Sequence, residues 1–107
     1  MAESIFQVWN QQSDNIPGSS LKIADQIALS NFQSATYLLS FNYLSKNKSL
    51  TIKINKSEAG IFSQVWGKSG DALNISVDGF SNGGNMELRI TNNESFNINY
   101  TLARAKV

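Results

Sequence analysis

Residues 73–78 read Leu-Asn-Ile-Ser-Val-Asp, an unbroken alternation of apolar and polar side chains, and residues 86–91 and 96–102 repeat it. Successive side chains of an extended strand point to opposite faces, so a period of two gives each segment one dry face and one wet face. A helix cannot sort its residues that way. The pattern therefore constrains the chain to half-buried antiparallel strands more firmly than any other feature does.

Earlier segments fit the same scheme. Residues 50–55 alternate, and 37–44 are apolar on both phases apart from Ser40 and Asn42, as a central strand would be. Residues 5–9 and 61–66 are short runs rich in β-branched and aromatic side chains. Segment 21–29 admits a strand or a short helix. Leu21, Ile23, Ile27 and Leu29 share one strand phase and miss the helical i, i+3, i+4 stripe, which favours a strand, although Asp25 falls on the same phase. Turn residues separate the runs at 14–18, 45–48, 67–71, 79–85 and 92–94. About eight strands at this spacing point to one domain over residues 1–107, an all-β antiparallel sandwich of jelly-roll type. A small closed barrel is the alternative. Residues 4–9 and 60–66 echo each other and place Trp9 and Trp66 at equivalent positions. The second copy is one residue longer, which reverses its faces unless a bulge absorbs it. Shared strand composition accounts for the echo, and duplication of a half-sandwich is the sharper reading.

Composition removes much of chemistry. The chain contains neither cysteine nor histidine, so disulfides, thiolates, the commonest metal ligand and the usual general base near neutral pH are all missing. A net charge of +1 gives no basic excess for nucleic acid. No run approaches the roughly 18 apolar residues of a membrane span. The first nine residues have neither the basic nor the apolar region of a secretory leader, so the expected location is cytoplasmic, or outside after export without such a signal.

The acids offer no catalytic pair. Asp71 and Asp78 would end opposite ends of one strand, and only Glu87 could face Asp78 across the 79–85 hairpin. Serine lacks a histidine base, and Gly67-Lys68-Ser69-Gly70 lacks a strand–turn–helix setting. The expectation is a protein that is not an enzyme and holds no cofactor. Calcium is the alternative at residues 78–87, where oxygen ligands and glycines concentrate without matching an EF-hand. Lys46, Lys48, Lys53 and Lys56 form the one basic cluster. They read as guards against edge-to-edge strand pairing in preference to an anion-attracting patch.

Aromatic rings among many amides and hydroxyls are the remaining signal. A ring can stack on the apolar face of a sugar while amides and carboxylates bond its hydroxyls. The candidate ligand-binding residues are Trp66 with Lys68 and Asp71, the hairpin residues Asp78, Asn82 and Asn85, and Trp9 with Gln11. In pattern the chain resembles jelly-roll binding modules such as carbohydrate-binding modules and small lectins. That resemblance implies non-catalytic, lectin-like binding of a glycan through a loop-end tryptophan. The alternative is a structural or self-assembling phage, virion or surface component that buries an apolar face at 37–44 or 5–9. A homo-oligomer suits both readings.

Overall fold

The computed structural model describes residues 10–106. Trp9, the 5–9 segment and the first half of the internal echo lie outside them. Within the described residues the strands are β1 (Asn10–Ile16), β2 (Ser20–Ala28), β3 (Ser34–Tyr43), β4 (Lys46–Ser57), β5 (Gly60–Gly70), β6 (Ile75–Asn82), β7 (Asn85–Asn92) and β8 (Ile98–Lys106). A single 3-10 turn covers Leu29–Asn31. All pairing is antiparallel, in a five-stranded sheet of order β1-β8-β3-β4-β5 and a three-stranded sheet of order β2-β7-β6. The sheets form a sandwich and do not close into a barrel. Its outer strands nest in the jelly-roll manner, first with last and second with second-last, while β3-β4-β5 and β6-β7 are consecutive hairpins.

Alternation builds the core directly. Tyr37, Leu39 and Phe41 of β3, Leu50, Ile52 and Ile54 of β4, and Ile98, Tyr100 and Leu102 of β8 face inward and are buried. Met86, Leu88 and Ile90 of β7 meet them from the smaller sheet. Residues 37–44 do occupy a central strand, between β8 and β4. Its outward face, however, carries only Leu38 among polar neighbours.

Several local readings shift. Segment 21–29 is strand as far as Ala28, with Leu29 opening the 3-10 turn, but its apolar residues do not share a face. A bulge between Ile23 and Asp25 adds one residue against β7, so Leu21 and Ile23 point outward and Ile27 points inward. One extra residue inverts every side chain beyond it. Polar residues 10–16 form β1 because that strand lies at the edge, where Ile16 alone enters the core. The β3–β4 turn is Leu44-Ser45, with Leu44 at φ 54°, and not the asparagine-bearing stretch that follows. Residues 67–70 are not a loop either. They continue β5 through a bulge opposite Leu50, where Gly67 takes φ 68°. The β6–β7 turn shrinks to Gly83-Gly84, which sets Asp78 opposite Arg89 and Phe80 opposite Glu87. Glu87 therefore does not face Asp78. The lysines of β4 also lose their explanation as guards, because β4 lies between β3 and β5.

The β2 bulge explains Asp25. It turns inward, where it accepts hydrogen bonds from the Tyr37 hydroxyl (2.7 Å) and from Arg104 (2.9 Å). This joins the small sheet to β3 and β8 of the large one. A second polar anchor is fully buried Asn92, whose amide donates to the carbonyls of Ile16, Pro17 and Phe96 and whose side-chain oxygen accepts from the Glu94 N–H. It fastens the β1–β2 turn to the β7–β8 connection.

Burial, and then the adjacent Asp25 carboxylate, push the Tyr37 phenol far above its ordinary value of 10.0. The folded state therefore keeps a proton that the unfolded chain releases above that pH, and stability falls as pH rises past about 10. Tyr37→Phe removes a hydrogen bond to a charged acceptor and should cost about 1–3 kcal/mol at neutral pH. It should also make the alkaline loss shallower. Thermal melting of both proteins between neutral pH and pH ~11 checks the two effects together.

Candidate functional site

Pairing across the five-stranded sheet sorts its outward side chains into rows. One row runs Gln11, Ala103, Leu38, Thr51, Trp66 from β1 to β5. Four strand spacings make it about 19 Å long. The next row is Ser13, Thr101, Ser40, Ser49 and Ser69, a hydroxyl on every strand. Beyond it lies a row of amides, Asn15, Asn99, Asn42 and Asn47. These groups hold one another in place: Ser13 bonds Thr101 (3.1 Å), Asn15 donates to Asn99 (3.1 Å) and Ser49 bonds Ser69 (3.3 Å). An open depression of about 420 Å³ lies over the first two rows, lined by Gln11, Leu38, Ser40, Ser49, Thr51, Gly67, Thr101 and Ala103.

Edge strand β5 carries exposed aromatic rings on the same face, beside the depression and not lining it. The inward positions Ile61 and Val65 pack against the core, so Phe62, Gln64 and Trp66 face outward. Phe62 is 57% exposed and Trp66 44%. The Gly67 bulge comes directly after Trp66 and keeps β5 paired to β4 on both sides of the ring. Trp66 is thus on a strand face and not at a loop tip.

The candidates from sequence fall in three places. Gln11 and Trp66 end one row, at opposite edges of the same face. Lys68 and Asp71 lie at the far end of β5, where Asp71 accepts from the Asn47 N–H (2.8 Å). Lys48, on the other strand there, donates to the Leu73 carbonyl; burial, and then Lys68, lower its pKa. Asp78, Asn82 and Asn85 belong to the other sheet. The turn at Gly83-Gly84 is separated from Asp71 by the whole of β6, about 25 Å. These residues therefore do not form one cluster at one end of the sandwich. Asp78 accepts from Ser63 (2.8 Å) and from the Gly79 N–H (2.8 Å). No group of three acidic side chains that could hold a cation occurs among the described residues.

The outer face of the three-stranded sheet carries a different arrangement. Glu87 is only 2% exposed there and accepts from Gln26 (3.2 Å), Asn82 (3.0 Å) and twice from Arg89 (2.9 and 2.8 Å). The Asn82 and Arg89 hydrogen bonds hold its carboxyl below the usual range. Arg89 also stacks over the Phe80 ring at 4.3 Å, with Leu21 and Ile23 exposed nearby. Gln26, Asn82 and Arg89 all direct donors to Glu87 inside the protein.

The serine and asparagine rows escape a reading of the sequence because Ser13, Ser40, Ser49, Ser69 and Thr101 are scattered over five segments. Only strand order and register assemble them. The signal that could have found Phe62 was its spacing of four from Trp66, which puts both rings on one side of a strand.

No family model matches the chain, and no curated protein matches it. Among solved structures, the tailspike protein of Acinetobacter baumannii phage AM24 is similar, with a TM-score of 0.54 and 6% identity over 94% of this chain and 26% of that one. The tailspike protein gp49 of Acinetobacter baumannii bacteriophage Fri1, described as a capsular polysaccharide depolymerase, has a TM-score of 0.43 and 9% identity over 92% of this chain and 17% of that one. This chain thus spans about a quarter or less of either tailspike. At these identities the likeness is one of fold.

Proposed function

We propose that this domain is a non-catalytic glycan-binding module and that its site is the outer face of the five-stranded sheet. The observation that carries this reading is the juxtaposition of an exposed aromatic edge, Phe62 and Trp66, with a floor of hydroxyls and amides around an open depression. Sugars present an apolar face to a ring and hydroxyls to amides, and this surface offers both at once. Its breadth suits an oligosaccharide lying across several strands. The chain has neither histidine nor cysteine, and the outward positions of this sheet hold no pair of carboxylates among the described residues, which favours holding a ligand over acting on it. A sandwich of similar fold forms part of a phage tailspike, a setting that suits a binding module carried on a larger particle.

Trp66→Ala should weaken glycan binding by about 10–100-fold while leaving the melting temperature nearly unchanged, because the ring is half in solvent. Acrylamide quenching in a Trp9→Phe background isolates Trp66, and a bound glycan should protect it. Quenching that no glycan alters, together with unchanged affinity in Trp66→Ala, would remove the face from consideration.

A second reading, self-association, has its own observation: Leu21, Ile23 and Phe80 expose apolar surface together on the outer face of the small sheet. A second copy of the chain is the occupant this patch would take, burying apolar area that the monomer leaves in water. Light scattering after size exclusion should then show an oligomer that Ile23→Lys dissociates. A monomer at micromolar concentration would end this reading and leave the glycan face untouched.

A further inference from the structure

Lys53 has no structural task. It lies in the middle of β4, which is paired on both sides, so it guards no edge. Its ammonium has no ion pair or hydrogen-bond partner among the described residues, whereas Lys48 and Lys56 each donate to a backbone carbonyl. It is exposed on the same face as the two aromatic rings, directly opposite Gln64 and therefore midway between Phe62 and Trp66 along β5. Those rings are about 13 Å apart at the rise of a strand. Along this face the outward positions of β1, β8, β3, β4 and β5 carry no carboxylate among the described residues. Of the acids at the two ends of the sheet, Glu58 is exposed in the β4–β5 turn, five residues along from Lys53, and Asp71 at the other end is engaged with Asn47.

We infer that the glycan taken by this face is acidic, with an anionic group on Lys53 and flanking sugar rings on Phe62 and Trp66. This rests on the glycan-binding reading above and adds the charge of the ligand to it. A neutral sugar would need no ammonium between the rings, and a cationic one would be repelled by it. An anionic group brought between two apolar rings meets the Lys53 ammonium, unpaired among the described residues, where water is partly displaced, which strengthens the pairing. Asn55 and Gln64 supply amides on either side for the neighbouring hydroxyls. A carboxylate and a sulfate would each satisfy the ammonium, and Lys53 does not impose the bidentate geometry by which arginine distinguishes them.

The test is a glycan array printed with neutral, carboxylated and sulfated saccharides in similar number, probed with the protein, Lys53→Gln and Lys53→Arg. Binding should be confined to acidic saccharides and fall about tenfold or more in Lys53→Gln. It should be retained in Lys53→Arg and weaken as salt is raised. The carboxylated and sulfated arms identify the group. All three proteins should melt together, since the side chain is in solvent. Equal binding to neutral saccharides that Lys53→Gln leaves unchanged would overturn the acidic ligand while keeping the glycan face. Failure to bind any class would overturn both.

Discussion

The outer surface of the large sheet exists as a set of rows because its inner surface permits only one register. Tyr37, Leu39 and Phe41 must lie against Leu50, Ile52 and Ile54 on one side and Tyr100 and Leu102 on the other. Sliding any of these strands by one residue would drive serines and asparagines into the core and bring leucines and isoleucines into water. Each buried side chain is worth about 1.5–3 kcal/mol, so several inverted at once exceed the whole stability of a domain this size. The positions of Ser40, Ser49 and Thr101 are consequences of that constraint. The face is assembled by residues that never touch it.

Two largely buried polar anchors do most to hold the sheets in relation to each other, beside the exposed contacts Ser63–Asp78 and Lys22–Asp14. A sandwich core is apolar and largely non-directional, so it resists separation better than it resists sliding. Asp25 with Tyr37 and Arg104, and Asn92 with three carbonyls, add direction. Both lie where a displaced partner would leave a buried or half-buried polar group unsatisfied. Losing one half of such a contact is costlier than never having had it, which gives the two sheets a preferred alignment.

Fold class was legible in the sequence because alternation is a direct record of burial: residues 50–55 and 86–91 lie wholly in strands, and 73–78 and 96–102 do so from Ile75 and Ile98 onward. What failed did so for identifiable reasons. Leu21, Ile23 and Ile27 look like one face until a bulge separates them. Gly67 and Gly70 look like a loop because glycine marks both turns and bulges, and only pairing with β4 tells the two apart. Strand β1 was invisible, since an edge strand exposed along most of its length needs no alternation. Of the candidate site, Trp66 and Gln11 could be named but not related. Their shared row depends on strand order, which local residue patterns do not encode.

The extra residue at the β2 bulge has a consequence for how relatives of this chain could diverge. Insertions and deletions are ordinarily absorbed in loops, where they change length and little else. Here the outcome depends on which residue is lost: without Ala24, Ile23 would still face Arg89 and Asp25 would still face Leu88, giving a regular strand with every side chain on its present face. Loss of Lys22 would instead bring Leu21 opposite Ile90 and turn it inward, and would take away the ion-pair partner of Asp14. The bulge thus gives the strand one position that can be lost without reorienting its neighbours, flanked by positions that cannot.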